Sequence, residues 1–233
     1  MKRLLPLLLC IVAASAASAQ IRIGFLGGAS RATIIETNDI PNWTTDVKPN
    51  YDPLYGFHGG VFAEIPLNRK GNLVFQPGVY YFNKGRKYKQ TFDPAVNPVN
   101  DTSSTLHLNY IDVPFNLILK FRLGKTVKFM IGAGPYAGFF FNGSEKTQTI
   151  YSIGTVSETS NTDLPVGNGK GQYKTLDYGV NVLAGFEIGH AFIRADASQS
   201  LGDFFQSANY NGSFKHQVIS ASVGFTIDLK TPA

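Results

Sequence analysis

Most of the features that announce an enzyme or a cofactor are missing from this chain. Its 233 residues hold one cysteine, Cys10, near the N-terminus. A disulfide framework and a cysteine-rich metal site are therefore both excluded. No apolar run is long enough to cross a bilayer as a helix. The four histidines, His58, His107, His190 and His216, show no HExxH or comparable metal spacing. No phosphate-binding glycine loop follows a strand and opens a helix; text of that kind, such as 167-GNGKG-171, lies in a polar loop. Helical periodicity is absent throughout.

Strong charge is also lacking. The formal balance is +5, and two of those charges, Lys2 and Arg3, lie in an N-terminal segment with the layout of an export signal. The apolar run 4–12 follows, then the small residues Ala17, Ser18 and Ala19. Cleavage after Ala19 is expected, leaving 20–233 as one domain without cysteine. Leu9 before Cys10 argues against a lipoprotein signal. An exported chain with so small a cationic excess is not expected to bind nucleic acid.

What the sequence does have is alternation. In 111-IDVPFNLILKF-121 the odd positions are all apolar and the even ones include Asp112, Asn116 and Lys120. That is the two-residue period of a β-strand with one oily and one polar face. Similar segments at 21–34, 55–67, 72–83, 104–122, 127–141, 174–188, 191–201 and 214–229 predict eight strands. Short turns at 68–71, 124–126 and 189–190 alternate with long polar loops at 35–54, 84–103, 142–173 and 202–213. Long loops all at one end predict an all-β, eight-stranded antiparallel up-and-down transmembrane β-barrel.

Aromatic placement points the same way. Tyr55, Phe57, Tyr81, Phe82, Tyr110, Phe139, Phe141, Tyr178 and Phe214 fall near the long-loop end. Phe62, Phe121, Phe129, Phe186 and Phe225 fall near the short-turn end. These two bands are the expected interfacial girdles. The apolar faces, such as Leu117, Leu119 and Ile131, should meet lipid. The charges Glu64, Asp112, Lys120, Lys128, Glu187, Arg194 and Asp196 should point inward and pair. Pro77, Pro114 and Pro135 fall inside strands, where bulges or watered slots would accommodate them.

Several segments together resemble the porin-like outer-membrane β-barrel family of Gram-negative bacteria. They are 75-FQPGVYY-81 followed by Asn83, Lys84 and Gly85, then 110-YIDVPFNLILKF-121, 132-GAGPYAGF-139, 177-DYGVNVLAGFEIG-189 and 219-ISASVGFTIDL-229. The resemblance implies the barrel and the outer membrane, and little chemistry. Ser222, Gly224, Ile227 and Leu229 resemble the C-terminal signal through which the barrel-assembly machinery recognises such proteins. Leu229 stands where an aromatic is common, and four residues trail beyond it.

Function is expected to be structural or surface-directed, in a monomer without enzymatic activity or cofactor. In 84-KGRKYK-89, the residues Lys84, Arg86, Lys87 and Lys89 are candidates to meet lipopolysaccharide phosphates by charge pairing. Ser103, Ser104 and His107 sit close in sequence but lack a third catalytic group. Trp43 and loop 142–173 are candidates for ligand capture. Two other readings stay open: a narrow small-solute pore or ligand-binding barrel, and a soluble lipocalin-like barrel with the oily face inside, which periodicity alone does not separate from the first.

Overall fold

The computed structural model describes residues 21–93, 95, 98–151 and 157–229. The expected export signal lies outside these residues. Among the described residues there are nine strands: β1 Arg22–Asn38, β2 Tyr51–Pro66, β3 Leu73–Thr91, β4 Val99–Arg122, β5 Val127–Tyr151, β6 Ser157–Asp163, β7 Leu176–Ile188, β8 Ala191–Ser200 and β9 Gly212–Asp228. A single helical turn, α1 Trp43–Asp46, sits between β1 and β2.

Pairing is antiparallel throughout and runs in a ring. Each of β1 to β5 pairs with the next, β5 then pairs with β7, β7 with β8, and β8 with β9. The pairing of β9 back onto β1 closes the circle. Eight strands therefore form the barrel. The ninth, β6, pairs only with the far end of β5, from Ser144 to Ile150. Closure is what hydrocarbon demands, because an open edge would leave backbone donors and acceptors unpaired.

The expected faces are found. Leu117 is 52% exposed on the outer wall while its neighbour Asn116 is 0% exposed inside. Ile131, Val180, Val182, Phe186 and Ile193 are outward, and Asp112, Lys120, Glu187 and Arg194 are buried inward. A water-soluble barrel with an apolar cavity is thereby overturned, since the oily face is the outer one.

The girdles need three corrections at the loop end and one at the other. Tyr55, Phe57, Phe139, Phe141 and Tyr178 are exposed on the outer wall. Tyr110 and Phe214, however, are buried, and the Phe82 ring stacks on buried His58 at 4.9 Å. Phe62, expected in the short-turn girdle, packs inside with Phe192 at 5.7 Å. Each shares the parity of an inward residue, so the pleat takes it into the interior.

The strands also run further than their apolar alternation does. β4 and β5 are 24 and 25 residues long, and about 9–11 residues suffice to cross the hydrocarbon. Past the girdle their outward positions turn polar, beginning with a ladder of asparagines. Asn83 Nδ2 donates to Asn109 Oδ1 at 2.8 Å, and Asn109 Nδ2 to Asn142 Oδ1 at 2.7 Å. The stretches 84–91, 99–103 and 142–151, expected as loops, are thus strand that continues beyond the apolar band.

No bulge accompanies the three strand prolines. Each coincides instead with a lapse in one ladder. Pairing of β2 with β3 stops at Phe62 and Gly78 and resumes at Ile65 and Phe75, across Pro77. Between β3 and β4 it lapses beside Pro114, and between β4 and β5 beside Pro135, with the register unchanged on either side. A missing N–H toward one neighbour accounts for this. The short turns use glycine where the chain must adopt positive φ, Gly71 at 65° and Gly189 at 62°.

Candidate functional site

Inside the barrel the inward side chains stack in three layers. At the short-turn end, Lys120 Nζ lies 2.7 and 2.8 Å from the two Glu64 oxygens and 2.5 Å from Glu187 Oε2. Lys128 Nζ reaches Glu187 Oε1 at 2.8 Å, and Arg22 Nη1 reaches the same oxygen at 3.0 Å. Arg22 also pairs with Glu64. Two carboxylates from β2 and β7 thus sit among three cations from β1, β4 and β5. A hydrogen-bonded link, Glu64 to Gln76 to Arg194 to Asp196, carries the network upward.

The middle layer centres on Lys84, which is fully buried. Its Nζ lies 2.8 Å from Asp112 and 3.8 Å from Asp177. Tyr136 and Ser200 donate to Asp177 Oδ2 at 3.2 and 2.8 Å. The ammonium also stands 4.5 Å from the centre of the Tyr110 ring, a cation–π arrangement. Between this layer and Arg194 remains a cavity of about 30 Å³, lined by His58, Tyr80, Tyr136 and Asn181 among others. That is room for about one water. His58 Nδ1 and Asn181 Oδ1 are buried there without a hydrogen-bond partner, so a water has polar atoms to meet.

At the loop end the interior becomes aromatic. Phe204 stacks on His216 at 3.8 Å, and Tyr110, Phe140, Tyr173, Phe205 and Phe214 pack around them. Above this lid Arg86 pairs with Glu36 and lies 3.8 Å from the Tyr51 ring centre. Tyr210 Oη donates to Glu36 at 3.1 Å, and burial beside that carboxylate pushes its hydroxyl up to about 12. Burial raises Tyr173 as well.

All seven charges expected inside are there, and each has a counter-ion or a charged neighbour in the network. Arg22, Lys84 and Asp177 were not expected in it. Lys84 was expected at the outer rim, where it cannot serve, because its amine is enclosed by Asp112 and Asp177. Arg86 is engaged by Glu36 and Tyr51. Of the four basic residues expected to meet lipopolysaccharide, only Lys87 and Lys89 are exposed outward.

The seryl candidates do not come together with histidine. Ser104 donates its hydroxyl to Glu145 on the inner side, while His107, three residues on, points to the opposite face beside Asn83. Ser103 shares the His107 face but stands four residues away, about 13 Å along the strand. Trp43, expected on a capture loop, is buried against Tyr51 at 6.4 Å. Among the described residues no group of histidine, cysteine and carboxylate side chains is placed to hold a metal ion.

The C-terminal pattern lies on the closing strand. Ser222 is buried and 2.7 Å from His58 Nε2, Gly224 faces inward, and Ile227 and Leu229 are exposed on the outer wall. A Cβ at Gly224 would come within 2.2 Å of the Phe25 carbonyl oxygen, so no larger residue fits the seam there.

Comparison with known proteins returns one family and several distant folds. The family model described as an outer membrane protein beta-barrel domain matches residues 13–206. No curated protein matches the chain. Among solved structures, the attachment invasion locus protein Ail of Yersinia pestis, crystallised with the heparin analogue sucrose octasulfate, is 11% identical. That match covers 89% of this chain and 99% of Ail, with a TM-score of 0.39. Neisserial surface protein A is 14% identical over 88% of this chain and 96% of its own, with a TM-score of 0.39. The outer membrane protease OmpT of Escherichia coli is 9% identical, over 90% and 97%, with a TM-score of 0.33. On the family match, this chain belongs to the outer membrane protein β-barrel domain family and is an integral protein of the bacterial outer membrane.

Proposed function

We propose that this barrel is sealed and acts as a structural or surface-interacting element of the outer membrane, without catalytic activity. The observation that carries the reading is the filling of the bore at three successive depths. An aromatic lid around Phe204 and His216 lies over the Lys84 layer, and the Glu64–Lys120–Glu187 cluster lies below. A void of about 30 Å³ holds a water and not a solute. Eight strands enclose just enough space for side chains, so a filled interior is the natural state of a ring this small.

The surface role is assigned to the strand ends above the membrane. There Lys87 and Lys89 project outward beyond the asparagine ladder, at the level where phosphates of lipopolysaccharide would meet them. Contacts of this exposed kind are weak singly and salt-sensitive. The closing strand, with Ser222, Gly224, Ile227 and Leu229, is the segment we assign to the assembly machinery, and the barrel is read as a monomer.

Conductance in planar bilayers tests the seal. The refolded protein is expected to give no stepwise current, and truncating the lid by Phe204→Ala together with Phe214→Ala should leave it silent, because two charged layers remain below. Regular open-channel steps from the wild-type protein would replace this reading with the narrow-pore one.

A further inference from the structure

The short-turn mouth of the barrel is not filled like the rest. Below the Glu64–Lys120–Glu187 cluster the walls open into a cup of about 620 Å³, within the size range of small-ligand sites. Short turns face the periplasm in this architecture, so the cup does too. Six basic residues line it against two acidic ones, Glu64 and Asp228. Glu64 and Glu187 are already committed to Arg22, Lys120 and Lys128. The excess positive charge is therefore at the rim.

Three rim cations carry that excess: Arg69 in the β2–β3 turn, Lys70 beside it, and Arg122 at the end of β4. All three are exposed, and among the described residues no carboxylate forms an ion pair with them. At the floor, the Lys128 side chain is 34% exposed with Glu187 as its ion-pair partner, so part of the ammonium still faces the cup. A rigid β-framework thus holds a concave, net-cationic surface whose arginines present fork-shaped donors suited to a tetrahedral oxyanion. Nothing in the sealing of the bore requires this cup.

We propose that the periplasmic mouth is a binding site for a phosphate-bearing polyanion, held by Arg69, Lys70 and Arg122 at the rim and Lys128 at the floor. The volume is ample for two or three linked phosphates rather than one. Focusing of the field by low-dielectric walls would strengthen the attraction relative to a flat surface of equal charge.

Calorimetric titration of the full barrel, refolded in a zwitterionic detergent at low salt, tests this with inorganic triphosphate as the probe. Saturable one-to-one binding is expected. Arg69→Gln, Lys70→Gln and Arg122→Gln combined should weaken it by about tenfold or more, as hydrogen bonds to charged groups require. A charge-matched control at the opposite end, Lys48→Gln, Lys146→Gln and Lys170→Gln combined, should bind as wild type does. Because all six positions are exposed, folding is checked by gel mobility without heating. Absence of saturable heat, or an equal loss in both triple variants, overturns the proposal. Adding phosphatidylglycerol to the micelles then separates the sources. Competition assigns the cup to a lipid headgroup and no competition to a soluble phosphate, and either result supports the site.

Discussion

Glu187→Gln is expected to destabilise the barrel by about 3–5 kcal/mol, the cost of breaking one side of a buried ion cluster. The carboxylate accepts hydrogen bonds from Arg22, Lys120 and Lys128, and its own side chain is 2% exposed. Removing its charge leaves Arg22 and Lys120 facing Glu64 alone in a desolvated space, where mutual repulsion is poorly screened. Reversible urea unfolding in lipid vesicles measures the effect as a fall in midpoint at unchanged slope. A double variant, Glu187→Gln with Lys128→Met, should recover part of the loss because it removes an unpaired cation along with its partner. A single variant within about 1 kcal/mol of wild type would mean that the cluster is solvated and the short-turn end is wet deeper than the three-cation geometry implies.

Leu117→Arg should cost about 2–4 kcal/mol, because the side chain stands on the outer wall at the height of the hydrocarbon. Its sign is what makes it informative. Were this wall bathed in water, an arginine at a half-exposed leucine would be nearly neutral and would aid solubility. In lipid the same change places a guanidinium among acyl chains. The measurement is the fraction of refolded protein in vesicles, compared with Leu117→Ala, which removes apolar area without adding charge. A smaller penalty is expected for Tyr55→Arg, since girdle positions lie near the interface.

Much of this molecule is legible in its sequence, because a sheet that separates oil from a packed interior must alternate strictly. The outward set of Leu117, Leu119, Phe121 and Ile131 and the inward set of Lys120, Glu187 and Arg194 follow from that rule alone. Its failures come from reading residue class in place of parity. Phe62, Tyr110 and Phe214 were expected in the girdles as aromatics. Yet Phe62 shares parity with Glu64, Tyr110 with Asp112 and Phe214 with His216. The pleat takes them inside, where ring and ion pack together.

Lys84 was missed for a related reason. A run of basic residues suggests a solvated loop, and 84–89 has no apolar alternation to mark it as strand. The strand continues because its neighbours do, and the pairing of Lys84 with Leu108 on β4 is a tertiary fact. The signal was nevertheless present. Continuing the parity of Gln76 and Tyr80 along β3 puts Lys84 and Arg86 inward and Lys87 and Lys89 outward. The cup at the periplasmic mouth could not be foreseen, since its rim joins Arg69 in the β2–β3 turn to Arg122 at the end of β4, an entire hairpin away.

The proline lapses have a mechanical consequence. They step from the β2–β3 ladder to β3–β4 and then to β4–β5, so the cylinder wall carries an oblique line of weakened lacing on one side. On the other side every residue of β1 from Arg22 to Asn38 is matched on β9 without interruption. Stiffness is therefore unequal around the circumference. Under thermal or lateral load the wall should flex first along the proline diagonal, while the junction between the two ends of the chain is the last part to tear.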